Sequence, residues 1–278
     1  MSWRSLLFVP GDRPDRMGKA MLTAADALIL DLEDSVALPG KPQARAATAG
    51  LLAQPRRKPL LVRINPLDSG LAEDDLAAIL AASPDGIVLP KCGGGADVAR
   101  LVARLHRMVV PILPIATETP AAIFQLGTYA AVAGSLAGLT WGAEDLSSAL
   151  GAGTAREADG RYTPPYEVAR SLALFAAHAA GVPAIETVYP DFRDLAGLSA
   201  YAARGARDGF SGMMAIHPSQ IEPINAAFTP SEAALARARR IVAAFAANPG
   251  AGTLALDGSM IDAPHLKLAE VLLARAFR

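Results

Sequence analysis

The chain has 278 residues, 52% hydrophobic and 19% charged, with a net charge of -1 at neutral pH. That supplies a substantial core, and the scattered placement of Lys and Arg argues against a basic nucleic-acid surface. The single cysteine, Cys92, excludes an intrachain disulfide, one cysteine with four histidines supplies a zinc cage poorly, and no apolar run approaches the ~18 residues of a membrane span. Leu6 to Pro10 is too short for a signal core, so the chain reads as cytoplasmic, with neither nucleic acid nor membrane as partner.

In chain order, eight β-like runs follow one another: RSLLFVP (4–10), DALILDLED (26–34), LLVRIN (60–65), DGIVLPK (85–91), PILPIATE (111–118), GLTWGAEDL (138–146), PAIETVYP (183–190) and GMMAIHPSQ (212–220). Several are continuously apolar, as expected of strands covered on both faces, and segments such as 165–181 and 191–206 between them carry Ala and Leu at helical spacing. This alternation predicts an α/β fold, a (β/α)8 TIM barrel over residues 1–228, with a doubly wound sheet as the competing architecture. Residues 229–278 fall outside the repeat. They read as a helix over 230–247, a Gly-rich hinge or loop over 248–259, and a short amphipathic helix over 263–277 with Leu266, Leu268, Val271 and Leu272 on its apolar side.

Barrel enzymes draw their active groups from strand C-termini. Here those ends carry Asp31, Glu33 and Asp34, then Arg63 and Asn65, then Glu118, then Glu144 and Asp145. Glu118 and Asp145 meet the need of a Mg²⁺ site for one or two carboxylates, although acids at strand ends also cap helices. Arg63 interrupts an apolar strand and requires an anion: either a structural partner among Asp31, Glu33 and Asp34, or a substrate carboxylate or developing enolate. Gly93, Gly94 and Gly95 lack the Lys-Ser/Thr ending of a phosphate loop and read as a tight turn. Cys92 reads as a buried or turn residue, and His217 as a residue that positions backbone after the eighth strand.

The motifs RSLLFVPGDRPDRMGKA, DALILDLEDSV with KPQAR, VRINPLDSG, GIVLPK, ETP, GLTWGAEDL and AIHPSQI, in this order, resemble the citrate lyase β-subunit-like branch of the HpcH/HpaI aldolase superfamily. GSMIDAPHL resembles that family's lid segment, so the C-terminal extension is expected to be a helical lid. The resemblance implies a Mg²⁺-dependent carbon-carbon lyase that cleaves a 3-hydroxyacyl-CoA thioester, citramalyl-CoA or malyl-CoA, to acetyl-CoA and a 2-oxo acid. It also implies a homotrimer in which the lid comes from the neighbouring subunit. Residue by residue, Glu118 and Asp145 match the metal ligands and Arg63 the substrate-facing arginine, with Glu33 and Asp34 behind it. Gly142, Ala143 and Glu144 line the carboxylate pocket, Arg13 and Lys19 match basic positions near the CoA phosphates, and Asp262 matches a lid general acid/base. Arg13 and Lys19 equally suit a solvated helix face, and Asp262 a helix start. A Schiff base at Lys91 is unsupported beside a metal and an arginine. Met213 and Glu186 depart from the Lys and Asp common in relatives, Glu186 being expected near the rim. A malyl-CoA thioesterase, or a citrate lyase β subunit working with α and acyl-carrier subunits on a carrier-bound substrate, are the alternative functions.

Overall fold

In the computed structural model, which describes residues 3–106 and 108–276, each predicted apolar run contains a short parallel strand. The strands are β1 (Ser5–Pro10), β2 (Ala27–Asp31), β3 (Leu60–Arg63), β4 (Gly86–Leu89), β5 (Ile112–Pro114), β6 (Leu139–Thr140), β7 (Ala184–Glu186) and β8 (Gly212–Ala215). Their order, β5-β4-β3-β2-β1-β8-β7-β6, leaves β5 and β6 at the two ends. Parallel bridges Ile112↔Leu136 and Ile115↔Thr140, with Ala137 N–H donating to Ile112 O at 2.8 Å and Ala116 N–H to Thr140 O at 2.9 Å, bring those ends together. The sheet is therefore a near-closed, TIM-barrel-like cylinder and not a doubly wound sheet.

Helices follow the strands: α1 (Pro14–Met21), α2 (Lys41–Leu52), α3 (Ala72–Ile79), α4 (Gly95–Arg104), α5 (Pro120–Ile123), α6 (Glu144–Leu150), α7 (Pro164–Ala179), α8 (Leu195–Asp208) and α9 (Ile221–Phe228). Alternation along each strand sends one set of side chains inward, where Leu6, Ile29, Leu61, Val88, Leu113, Ile185 and Met214 form the barrel core, and the other set toward the helices. Because both sets are buried, β2 and β4 are buried at every position. The turn after β4 requires its glycines: a Cβ at Gly95 would lie 2.5 Å from Thr128 O, and Gly94 has φ 134. His217 caps the 3₁₀ turn Pro218–Gln220, its Nδ1 accepting from Ser219 N at 3.2 Å.

The chain divides into two compact units, Met1–Asn225 and Ala226–Arg278. The second holds α10 (Glu232–Ala247), capped by Ser231, and α11 (Ala263–Ala276). Residues 248–259 differ from the expected hinge or loop: β9 (Thr253–Leu256) and β10 (Ser259–Asp262) form an antiparallel hairpin. The turn residues Asp257 and Gly258 have φ 50 and 75, the pair of positive angles a two-residue hairpin turn demands. Ala238, Ile241, Ile261 and Ala269 form a small core, with Leu272 and Leu273 packed on it. Of the expected apolar side of α11, Leu268 and Val271 instead face solvent in this chain. No helix among the described residues is long and apolar enough to cross a membrane.

Candidate active site

β2 and β3 end side by side, with Asp31 and Arg63 in register. This places a carboxylate and a guanidinium at one depth: Arg63 Nε and Nη2 donate to Asp31 Oδ1 and Oδ2 at 2.7 and 2.8 Å. Asp31 is 1% exposed and also accepts the N–H groups of Glu33 and Ser35. Burial alone would raise its carboxyl, but Arg63 outweighs burial and holds it below the usual carboxylate range. The guanidinium lies 4.8 Å from the centre of the Phe8 ring, and Nη1 is 3.0 Å from Glu33 Oε2. Asp34 is farther away, at 3.9 Å. The residue that orients Arg63 is thus Asp31, with Glu33 beside it.

Lys91 forms the second cluster. It follows β4 in a left-handed conformation, φ 49, and its backbone N–H donates to Glu118 Oε2. Its Nζ lies 2.6 Å from Glu33 Oε1 and 3.4 Å from Asp145 Oδ1. Burial disfavours the ammonium, yet these carboxylates raise its pKa above the ordinary lysine value. Lys91 is therefore a cation at neutral pH and not an amine nucleophile. Burial first, then the charges of Asp145 and Glu33, push Glu118 up to about 8, against the stabilising Lys91 N–H. Thr119 explains the next step of the ETP motif: its Oγ1 caps α5 at Ala122 N, and Pro120 occupies the first turn.

Asp31 and Arg63 of the first cluster and Glu118 and Asp145 of the second meet at one cleft of about 330 Å³ at the C-terminal mouth of the barrel. Arg63, Glu118, Asp145, Asp34 and the Gly142–Glu144 segment line it, with Phe8, Ile115, Trp141, Val188 and Met214 as apolar wall. Gly142 packs so closely on Glu118 that a Cβ would lie 2.8 Å from its Cγ. Thr117 Oγ1 binds both the N–H and the carbonyl of Gly142, each at 3.1 Å. The N–H groups left for a ligand are accordingly those that follow, at the start of α6, where no intrahelical acceptor exists. No group of three or more His, Cys, Asp and Glu forms a cage among the described residues. Two carboxylates crowded by like charge, with water and substrate oxygens completing the shell, fit a hard octahedral cation such as Mg²⁺.

Other expected residues lie elsewhere. Arg13 is half-exposed and paired with Asp15 at 3.0 Å, and Lys19 is exposed; the basic residue of α1 that lines the cleft is Arg16, a position sequence reasoning passed over. Asp262 sits in the second unit at the end of β10, its Oδ1 2.5 Å from His265 Nδ1, a bond that holds its carboxyl below the usual range. Glu186 is not at the rim: it is fully buried at the end of β7, beneath Trp141. Met213 is buried as well. Asn65 is structural, joined to Asp75 and to Lys41, whose Nζ also binds the carbonyls of Leu32 and Glu33. The KPQAR motif thereby fixes the loop that carries Glu33.

The model of the HpcH/HpaI aldolase/citrate lyase family matches residues 4–218. A citrate lyase subunit beta-like protein of Mycobacterium tuberculosis is 39% identical, over 97% of this chain and 94% of that protein. A (3S)-malyl-CoA thioesterase of Cereibacter sphaeroides is 35% identical, over 99% of this chain and 94% of that protein. The crystal structure of protein CitE from Mycobacterium tuberculosis in complex with magnesium, acetoacetate and coenzyme A superimposes with a TM-score of 0.85 at 38% identity, covering 100% of this chain and 99% of that one. With a family match across most of its length and relatives this similar along nearly all of it, the chain belongs to the HpcH/HpaI aldolase/citrate lyase family.

Proposed function

We propose that the protein is a Mg²⁺-dependent carbon-carbon lyase that cleaves a carboxylate-bearing 3-hydroxyacyl-CoA, citramalyl-CoA or malyl-CoA, into acetyl-CoA and a 2-oxo acid. The observation that carries this reading is the convergence of Arg63, Glu118, Asp145 and the start of α6 on one cleft. Glu118 and Asp145 would hold the metal, which when bound supplies Lewis-acid polarisation of substrate oxygen. The N–H groups of Ala143 and Glu144 receive the substrate carboxylate, aided by the positive end of α6. Arg63, its orientation set by Asp31 and its positive charge retained, stabilises the negative charge that develops on the thioester oxygen as the bond breaks. Asp262, ionised beside His265, acts from the lid of a neighbouring subunit in a homotrimer as general base and then acid: it takes up the proton the hydroxyl loses as the bond breaks and returns it to the resulting carbon. Arg13 and Lys19, with Arg16, meet the phosphates of CoA.

The relationship to the (3S)-malyl-CoA thioesterase supports a second reading, in which the same cleft ends by releasing a hydroxy acid and free CoA. The citrate lyase relationship supports a third, a β subunit acting with α and acyl-carrier partners. Purified protein and Glu118→Ala are incubated with Mg²⁺ and citramalyl-CoA, malyl-CoA or citryl-CoA, and the products identified by mass spectrometry. A 2-oxo acid with acetyl-CoA, lost in the variant, is the expected result. Hydroxy acid with free CoA selects the thioesterase, and inactivity on all three esters selects the carrier-bound substrate.

A further inference from the structure

β6 and β7 are two and three residues long, and their ladder ends at Thr140↔Ile185. The next residues, Trp141 and Glu186, continue the seam with side chains: the indole Nε1 donates to Glu186 Oε1 at 2.5 Å. The same oxygen accepts the Tyr201 hydroxyl at 2.8 Å and the Thr187 N–H at 3.0 Å, while Oε2 accepts Arg170 Nε at 2.7 Å. Glu186, Trp141 and Arg170 are all buried, and Arg170 is anchored in turn to Asp208 at 2.8 Å. A carboxylate offers about four acceptor positions. Three donors crowd Oε1 and Arg170 holds Oε2 of a side chain with no exposed surface, so Glu186 is not presented to substrate, and its bonds serve to fix the donors.

Two of those donors reach the cleft directly. Trp141 and Thr187 both line it, from the ends of neighbouring strands, and Trp141 leads into the segment from Gly142 to Asp145. We infer that Glu186 is a positioning residue of the cleft: by clamping the Trp141 indole and the Thr187 backbone, it sets where the α6 N–H groups and Asp145 stand. Its effect on turnover rests on the lyase reading above; the clamp itself does not.

The chain has two tryptophans, so ¹⁵N-tryptophan labelling yields two indole N–H signals, assigned with Trp141→Phe. Glu186→Asp installs the residue common in relatives with one methylene fewer, which in this chain draws the carboxylate back from the indole it now holds at 2.5 Å. The Trp141 signal is expected to shift and its proton to exchange about tenfold faster, while the Trp3 signal, inside the barrel core, stays in place. On whichever thioester the wild type cleaves, kcat is expected to fall by about tenfold to a hundredfold with little change in KM, the mark of misplaced and not missing groups. Trp141→Phe leaves the Glu186–Arg170 pair whole, loses the same bond from its other end, and reproduces the kcat loss; the double variant is no slower than the slower single one. An unmoved Trp141 signal in Glu186→Asp overturns the clamp, and additive losses, or full kcat in Trp141→Phe, overturn the positioning role. If Glu186→Asp fails to fold, the Trp141→Phe kinetics decide. A wild type inactive on every ester overturns the proposed activity, and the indole signal then decides the clamp alone.

Discussion

The backbone N–H of Lys91 donates to Oε2 of Glu118, and Lys91 makes that bond from a left-handed conformation, φ 49. A side chain in that region normally costs about 1–2 kcal/mol relative to right-handed backbone. It is retained because one residue must serve both sides of the site, Glu118 through its N–H and Glu33 through its ammonium. Lys91→Gly loses the ammonium but keeps the N–H and relieves the strain; Lys91→Ala loses the ammonium and keeps the strain. Glycine should therefore be the more stable replacement by about 1 kcal/mol, the reverse of the usual order. Chemical denaturation of the two variants measures this, and alanine proving the more stable would mean that the turn does not keep its left-handed form.

Glu118 makes metal-free stability depend on pH. Its carboxyl titrates at about 8 in the folded protein against an ordinary 4.5. Between those values the folded protein keeps a proton that the unfolded chain releases, so stability is highest below about 4.5, falls as pH rises toward 8, and levels off above. The loss is on the order of 5 kcal/mol. Glu118→Gln, neutral throughout, should lack that component, so in EDTA the wild type should lose stability relative to the variant as pH rises between about 5 and 8, a window roughly set by the two pKa values. Mg²⁺ at about a hundredfold excess over its Kd should add about 2.7 kcal/mol to the wild type and less to the variant. Parallel pH curves would remove the raised carboxyl from the account.

The Arg63–Asp31 pair separates folding from catalysis. Arg63→Ala strands Asp31, 1% exposed, without its cation, and should destabilise by about 3–5 kcal/mol. Arg63→Lys keeps charge but cannot reproduce the two-pronged geometry. It should fold, yet lose about 10²-fold or more in kcat if Arg63 acts on developing charge. Thermal melts alongside steady-state kinetics test this, and a folded Arg63→Lys enzyme with wild-type kcat would end the assignment.

How far the sequence carries the reader depends on whether the signal is local. Eight apolar runs announce eight strands because burial on both faces leaves little room for polar residues, and Arg63, Glu118 and Asp145 stand out by ending such runs. The strands are shorter than the runs, since all but the first run continue past their strands toward the mouth of the barrel. Lys91 and Glu186 are poorly legible because their meaning lies in partners far along the chain: Glu118 and Glu33 for one, Trp141 and Arg170 for the other. Arg16 lines the cleft while Arg13, at the cap of α1, pairs with Asp15, a difference of position around one turn that a motif cannot resolve. The hairpin at 253–262 was legible: Asp257–Gly258 between two four-residue segments is a two-residue turn signal, and the neighbouring glycines obscured it.

Asp262 belongs to the second unit, bonded to His265, and the proposed exchange of lids predicts complementation between two dead enzymes. Asp262→Asn removes the proton donor and keeps the barrel; Glu118→Gln removes the metal site and keeps the lid. In a ring of three protomers each site draws its barrel from one chain and its lid from the next. Random mixing of equal amounts gives a working site whenever an Asp262→Asn barrel meets a Glu118→Gln lid, in about a quarter of cases. Co-refolded or co-expressed variants should thus recover about a quarter of wild-type turnover, measured as acetyl-CoA release, whereas each alone recovers none of it. If Asp262 served only its own chain, mixing would restore nothing; if it only capped α11, Asp262→Asn would be active on its own.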